Sequence, residues 1–425
     1  MSVMTGTRNV LGMSLMDGIK SPRFYAIPMF LALSLKAVAD AFFEIGSVKY
    51  LYFFMLVFGV FFLRTGRGYN RLGKAQESEG TLQPLLWLFV IVYFSFLVLL
   101  MLFQNGSPQL ILKIVSPFIF FGLVVAAKDE SLPFAMALGA AINILANAAL
   151  LPFEYGWTYW GSVNTFKGFY WFKTDLAYSL ATSLLIYASW ARFRMTPTFI
   201  GLTLLSVGMV VLANSRMNYV TFAIVLVYIA IKNGAKPSSL IMYGAFLGVL
   251  GGVAAFLYDP KNVLGFDTSN FESFTQGRDR IVMVLLKYGL ANYSPTELLF
   301  GRGLYADLII YMDNVSAGTL YGAHNDYLYQ LVTQGLTGLV LHIMGWVLIF
   351  KISKTAGSRE WAKGLALVAF LLYGTQAFSM TVSVFALKTW PIATILLMIY
   401  CYPDPDKSEG LLSEQARKPT AVSLV

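Results

Sequence analysis

Stretches of mostly apolar residues recur twelve times along the chain, at 24–43, 49–63, 84–103, 109–127, 132–151, 174–191, 198–214, 216–231, 239–257, 325–350, 364–380 and 382–401. A bilayer-crossing helix needs roughly 20 such residues. The second stretch is short and reads as tilted or extended, while Arg216 and Lys388 interrupt the eighth and the last. The expected fold is an all-α polytopic membrane protein of about twelve transmembrane helices, with one large outer loop carrying short helices. Composition agrees: 57% of residues are hydrophobic and 12% charged, where a soluble domain carries about 25% charged residues. That excludes a soluble enzyme, a disordered tail and a secreted disulfide scaffold.

The net charge of +9 could suggest nucleic acid, but its placement says otherwise. With the N-terminus inside, 19 of the 31 basic residues fall in inside segments, 9 in outside segments, and Lys36, Lys113 and Lys388 within spans. Basic short inside loops are the positive-inside signature. The charge therefore sets orientation, and no nucleic-acid partner is expected. Residues 1–402 form one membrane domain, with 258–323 as its long outer loop. Residues 403–425, rich in Pro, Ser and charge, read as a disordered cytoplasmic tail.

One cysteine, Cys401, and two histidines, His324 and His342, leave few ligands for a metal centre. No metal and no cofactor are expected. His342 lies 18 residues beyond His324, roughly 27 Å deeper if the helix is continuous. Two histidines that far apart cannot share an ion, and His342 reads as a buried polar contact.

The polar residues that resist the span pattern gather at the outer face. Within the long loop, residues 281–290 and 297–312 are apolar enough to lie as amphipathic helices on the membrane surface. Residues 153–172 hold ten aromatics in twenty, which fits an interfacial belt or, through Trp157 and Trp160, stacking on a sugar. In the first span, Lys36 and Asp40 can neutralise each other. Lys113 and Lys388 read as isolated cations that snorkel or pair with lipid phosphate. Arg216 follows Asn214 and Ser215 at an outer helix end, where a guanidinium can anchor to headgroups or grip a phosphate bidentately. Gly277-Arg278-Asp279-Arg280 supplies two more outer arginines, suited either to a diphosphate or to pairing with Asp279. His324 opens the tenth span, where an imidazole can hydrogen-bond structurally or accept a proton from a hydroxyl.

The segment AHNDYLYQLVTQGLTGL at 323–339 resembles the signature of the bacterial O-antigen ligase and O-antigen polymerase superfamily, with His324, Asn325, Tyr327, Gly335 and Gly338 in its places. Gly277-Arg278-Asp279-Arg280-Ile281, the turn Leu298-Leu299-Phe300-Gly301-Arg302-Gly303, and Asn214-Ser215-Arg216 resemble further elements of the family. Val282 stands where an aromatic is usual and Arg302 where a small residue is usual, so Arg278 and Arg280 stay alternatives. The resemblance covers about residues 214–339. It implies an inverting, metal-independent glycosyltransferase of the bacterial inner membrane, with its site facing the periplasm. The donor would be an undecaprenyl-diphosphate-linked glycan, held by Arg216 and either Arg278 or Arg280. His324 would activate the acceptor hydroxyl, with Asn325, Tyr327, Trp157 and Trp160 as possible glycan contacts.

Twelve spans and one dominant periplasmic loop before the signature histidine fit the ligase, whose acceptor is lipid A–core. The spacing from Arg278 to Gly289 is polymerase-like and keeps an O-antigen polymerase open. A lipid-linked-sugar transporter would instead show internal repeats and polar residues scattered toward the midplane. The chain has no such repeat.

Overall fold

The computed structural model describes Leu35 and residues 82–104, 106–127, 132–160, 163–236, 278–315, 322–356, 360–377 and 386–401. The expected spans 24–43, 49–63 and 239–257, with the Lys36–Asp40 pair, the first part of the long loop and the tail 403–425, lie outside the described residues. Eight of the other nine expected spans are each a helix within a few residues of the expected bounds, and the ninth, 325–350, is helical but broken at Gly335. These are α1 (Leu82–Phe103), α2 (Pro108–Ala127), α3 (Leu132–Ala149), α4 (Lys173–Trp190), α5 (Pro197–Ala213), α6 (Arg216–Lys232), α10 (Asp326–Ala356), α11 (Glu360–Ala377) and α12 (Ala386–Cys401). Among the described residues, α1, α2, α3 and α10 are long and apolar enough to cross a membrane, and the apolar parts of α5, α6, α11 and α12 are shorter.

In lipid, apolar burial does not drive helices together; close packing and interhelical hydrogen bonds do. The centre of this bundle shows both. Helix α4 is buried almost all round and packs against α3, α5, α6 and α12. Its small hydroxyl residues make that approach possible, and Thr182 and Ser189 return their O–H to the Tyr178 and Leu185 carbonyls. Asn143 of α3 donates to Ser179 and Ser183. Trp390 of α12 stacks on Phe120 at 4.9 Å and donates its indole N–H to Ser116 of α2.

Lys388 departs from expectation. It is 1% exposed, too deep to reach lipid phosphate, and its Nζ lies 3.2 Å from Asp175 Oδ1 of α4. A charge inside a bundle is tolerated when it is paired, and the partner here is 213 positions away in the sequence.

The aromatic segment is not helical. A short 3-10 turn (Glu154–Gly156) leads into strands β1 (Trp157–Trp160) and β2 (Val163–Phe166), paired antiparallel with Trp157 opposite Phe166. Phe166 and Tyr170 are buried against the bundle, whereas Tyr159 and Trp171 are 74% and 69% exposed. This split between anchored and exposed rings is what an interfacial belt needs.

Residues 278–315 form a cap over one end of the bundle. Helix α7 (Arg278–Val284) continues through a π turn, Leu285–Gly289, and a 3-10 turn to Asn292. The expected second helix is two: α8 (Pro295–Phe300) and α9 (Ala306–Asn314), broken at Gly301 and Gly303, which have φ of +76° and +98°. Ser294 and Glu297 form a capping box at the start of α8. Gln104 donates to the Gly301 carbonyl and Tyr305 to Ser107, which seats the cap on the α1–α2 turn. Met283, Leu286, Leu298, Phe300 and Met312 leave an apolar outer surface, the amphipathic face expected for this stretch.

Candidate functional site

The signature segment folds around a break at Gly335, whose φ of +68° and ψ of −168° interrupt α10. In a straight helix Asp326 and His342 would stand about 24 Å apart. Their side chains instead lie 3.7 Å apart, from Asp326 Oδ2 to His342 Nε2. The chain therefore doubles back at Gly335, and α10 is two helices, 326–334 and 336–356.

The break frees carbonyls of the first half, and the cap satisfies them. Val332 O accepts from the Arg302 N–H (3.2 Å) and the Tyr293 hydroxyl (2.8 Å), and Thr333 O accepts from the Gly303 N–H (3.0 Å). Contact is backbone to backbone. A Cβ on Gly301 would land on the Thr333 carbonyl, and one on Gly335 would come within 2.5 Å of the Leu299 carbonyl. Two glycines from distant stretches are thus needed for one interlock.

His324 occupies the turn into α10, half-buried, with φ +48°, a left-handed conformation uncommon for a residue with a side chain. Downstream, Asn325 caps the helix by accepting from the Leu328 N–H at 2.9 Å. Its carboxamide oxygen is thereby used locally. Tyr327 is half-buried and packs on the main core. Upstream, the buried Ala323 donates its N–H to Asp307 Oδ2 of α9 at 3.0 Å.

Behind this turn lies a buried chain of polar groups. The Tyr373 hydroxyl of α11 donates to Asp326 Oδ2 at 2.6 Å and lies 2.7 Å from His342 Nε2, which also receives the Trp346 indole N–H at 3.2 Å. His342 is 3% exposed, so its reading as a buried polar contact holds. The 27 Å separation does not, because it assumed a continuous helix.

Arg216 is the first residue of α6, after Asn214 in the left-handed region. Asn218, one turn in, donates to the Thr174 carbonyl and Ser215 Oγ and accepts from Gln376 of α11. Gln376 and Tyr373 are three residues apart and share a face of α11. One helix therefore ties the first turn of α6, through Gln376, and the first turn of α10, through Tyr373. On the other side, α9 supplies Asp307 to the His324 turn and packs against α7, whose first turn carries Arg278 and the exposed Arg280. The His324 turn is thus linked by contacts, through α11 to the start of α6 and through α9 to α7.

Arg302 serves a different purpose. Its Nε lies 2.7 Å from Glu297 Oε1 and its guanidinium covers the Tyr293 ring at 4.5 Å. Hydrogen bonds from Arg302 and Ser294 hold the Glu297 carboxyl down at about 2. Arg302 braces the cap and is committed to it. Trp157 donates its indole N–H to the Leu151 carbonyl and sets its ring against Phe166. Trp160 pairs with Val163 at the tip of the hairpin.

Asp307, Asp326 and Tyr373 did not emerge as site residues from the sequence. Asp326 stood beside the signature histidine and could have been singled out. Asp307 and Tyr373 act through contacts 16 and 47 residues away, which no local pattern announces.

Residues 201–343 match the family model described as O-antigen ligase. The matched stretch contains Arg216, Arg278, Arg280, His324, Gly335 and Gly338, and supports the O-antigen ligase/O-antigen polymerase superfamily read from the signature. Members are glycosyltransferase-like enzymes acting on lipid-linked glycans, and the match does not separate ligase from polymerase. No curated protein matches the chain.

Proposed function

We propose that this chain is an O-antigen ligase of the bacterial inner membrane. It transfers a glycan from undecaprenyl diphosphate to a sugar hydroxyl of lipid A–core at the periplasmic face. The observation that carries the reading is the family match over 201–343, the stretch that contains Arg216, Arg278, Arg280 and His324. The orientation rests on the 19-to-9 division of basic residues.

In the proposed reaction the acceptor hydroxyl oxygen attacks the anomeric carbon from the face opposite the diphosphate. The bond from that carbon to the phosphate oxygen breaks, the electron pair leaves with the diphosphate, and the configuration inverts. His324 takes the hydroxyl proton. Arg216, with Arg278 or Arg280, stabilises the charge that grows on the leaving group, so no divalent cation is required. The scarcity of cysteine and histidine in the sequence supports an arginine-based site. Exposed rings of the 153–172 hairpin stand ready for glycan or headgroup contact.

Purified protein in detergent, given lipid-linked donor and lipid A–core, should form product with no membrane gradient and in the presence of chelator. Product on donor alone would make it a polymerase, the reading favoured by the Arg278–Gly289 spacing. No product from either acceptor would leave transport and overturn the enzyme reading.

Arg216 tests the grip on diphosphate. Charge-assisted hydrogen bonds contribute about 1.5–3 kcal/mol each, and Lys keeps the charge but loses the planar fork. Arg216→Lys should therefore weaken donor binding about 10–100-fold, and Arg216→Ala should be nearly inactive. Wild-type donor affinity in either folded variant would remove Arg216 from the site.

A further inference from the structure

We propose that Asp307 is a positioning residue for His324: its buried carboxylate clamps the backbone just before the histidine and fixes where the imidazole stands. The proposal rests on the reading of His324 as the base.

The geometry comes from three contacts. Asp307 lies in the first turn of α9 and is 3% exposed. Its Oδ2 accepts the Ala323 N–H at 3.0 Å, and a Cβ on Gly322 would stand 3.3 Å from the same oxygen. The 322–323 backbone thus lies directly on the carboxylate. The next residue is His324, with φ +48°. A side-chain-bearing residue keeps such a conformation only when its surroundings over-determine it. Here it is held between Asp307 on one side and the Asn325 cap on the other.

A buried carboxylate is costly even when backbone N–H groups bond to it, here those of Ala323, Leu308 and Asp307 itself. Burial pushes the Asp307 carboxyl up to about 6, against backbone hydrogen bonds that pull it down. The titratable groups coupled to it are Tyr293, whose hydroxyl donates to Val332 O, and Tyr329 of α10, whose hydroxyl donates to Leu304 O. Among the described side chains, the lysines and arginines on the elements packed against α9, namely Arg280, Lys287, Lys351 and Lys354, are exposed. The folded state holds the Asp307 proton more tightly than the unfolded chain does. This group's contribution to stability is therefore fully present below about pH 4 and lost as pH rises to about 6. Near neutral pH the buried carboxylate therefore costs stability.

The test uses the full chain in detergent. Asp307→Asn keeps an oxygen for the Ala323 N–H but cannot ionise; Asp307→Ala removes the acceptor. Asp307→Asn should unfold no earlier than wild type above pH 6. Asp307→Ala should lose at least tenfold in kcat with donor KM unchanged, and Asp307→Asn should restore most of it. Asp307→Asn should also keep the wild-type acid limb, because a neutral Asp307 still offers an oxygen to the Ala323 N–H and the limb then reports the imidazole of His324. A readout independent of turnover is the rate at which diethyl pyrocarbonate modifies His324, followed by mass spectrometry of the His324 peptide. That rate should change at least threefold in Asp307→Ala and stay near wild type in Asp307→Asn. If the modification rate changes while no variant or wild type transfers glycan, the positioning role stands and the proposed reaction falls. An unchanged modification rate in Asp307→Ala, or an Asp307→Asn protein as impaired as Asp307→Ala, overturns the clamp.

Discussion

His324→Ala, folded and inserted, should lose about 10²- to 10⁴-fold of transfer rate while still binding donor. General-base catalysis typically contributes that much, or about 3–5 kcal/mol of the barrier. The structural case is the conformation of the turn. His324 is only half-buried, so its imidazole can meet an acceptor arriving from outside, yet its backbone is fixed at φ +48° by neighbours that are themselves hydrogen-bonded. A base that must come within about 2.6–3.2 Å of a hydroxyl, directly or through one water, gains from being held. The rate should also fall on the acid side, where a protonated imidazole cannot accept a proton. His342→Ala is the contrasting variant. Its ring bonds only inside the bundle, to Tyr373 and Trp346, so it should lower thermal stability first and activity through it. A folded His324→Ala protein within threefold of wild type would remove His324 from the mechanism.

What the sequence made legible follows from which interactions are local. Span length and apolarity are local, and eight of the expected spans are single helices in the described residues, while 325–350 is two helices meeting at Gly335. The hairpin was signalled in principle by Gly161-Ser162 between two short runs of alternating residues, but ten aromatics in twenty drew the reading toward a belt. The break between α8 and α9 was likewise visible as Gly301 and Gly303, while the apolar periodicity ran through them. Lys388 could not be placed, because its partner Asp175 is brought to it by the packing of α4 on α12. Asp307 is the same case at the site. The signature residues were found through the family resemblance, and the structure adds a physical reason for Gly335.

Gly335→Ala should cost about 4–6 kcal/mol, a large share of the 5–15 kcal/mol that keeps a typical domain folded. The loss has two parts. The backbone at φ +68° and ψ −168° falls in a region open essentially to glycine, at about 1–3 kcal/mol for other residues. The new methyl would also stand 2.5 Å from the Leu299 carbonyl carbon and oxygen and from the Phe300 nitrogen. These are backbone atoms, which cannot rotate aside. Relief requires parting the cap from α10, which breaks the bonds from Arg302 N–H, Gly303 N–H and the Tyr293 hydroxyl to Val332 and Thr333, at about 1 kcal/mol net each. If α10 straightened instead, Asp326 would leave Tyr373 and His342 and carry His324 with it, so transfer would be lost even in protein that survives. Gly208→Ala is the matched control: it sits in α5 with nothing within 4 Å of an added Cβ. There the helix should gain about 0.5–1 kcal/mol from the lower backbone entropy. Thermal unfolding in detergent separates the two, with Gly335→Ala expected to melt far below wild type or to yield no monodisperse protein. A Gly335→Ala protein that melts within 2 °C of wild type and transfers glycan normally would show that the reversal at this glycine is not what holds the site.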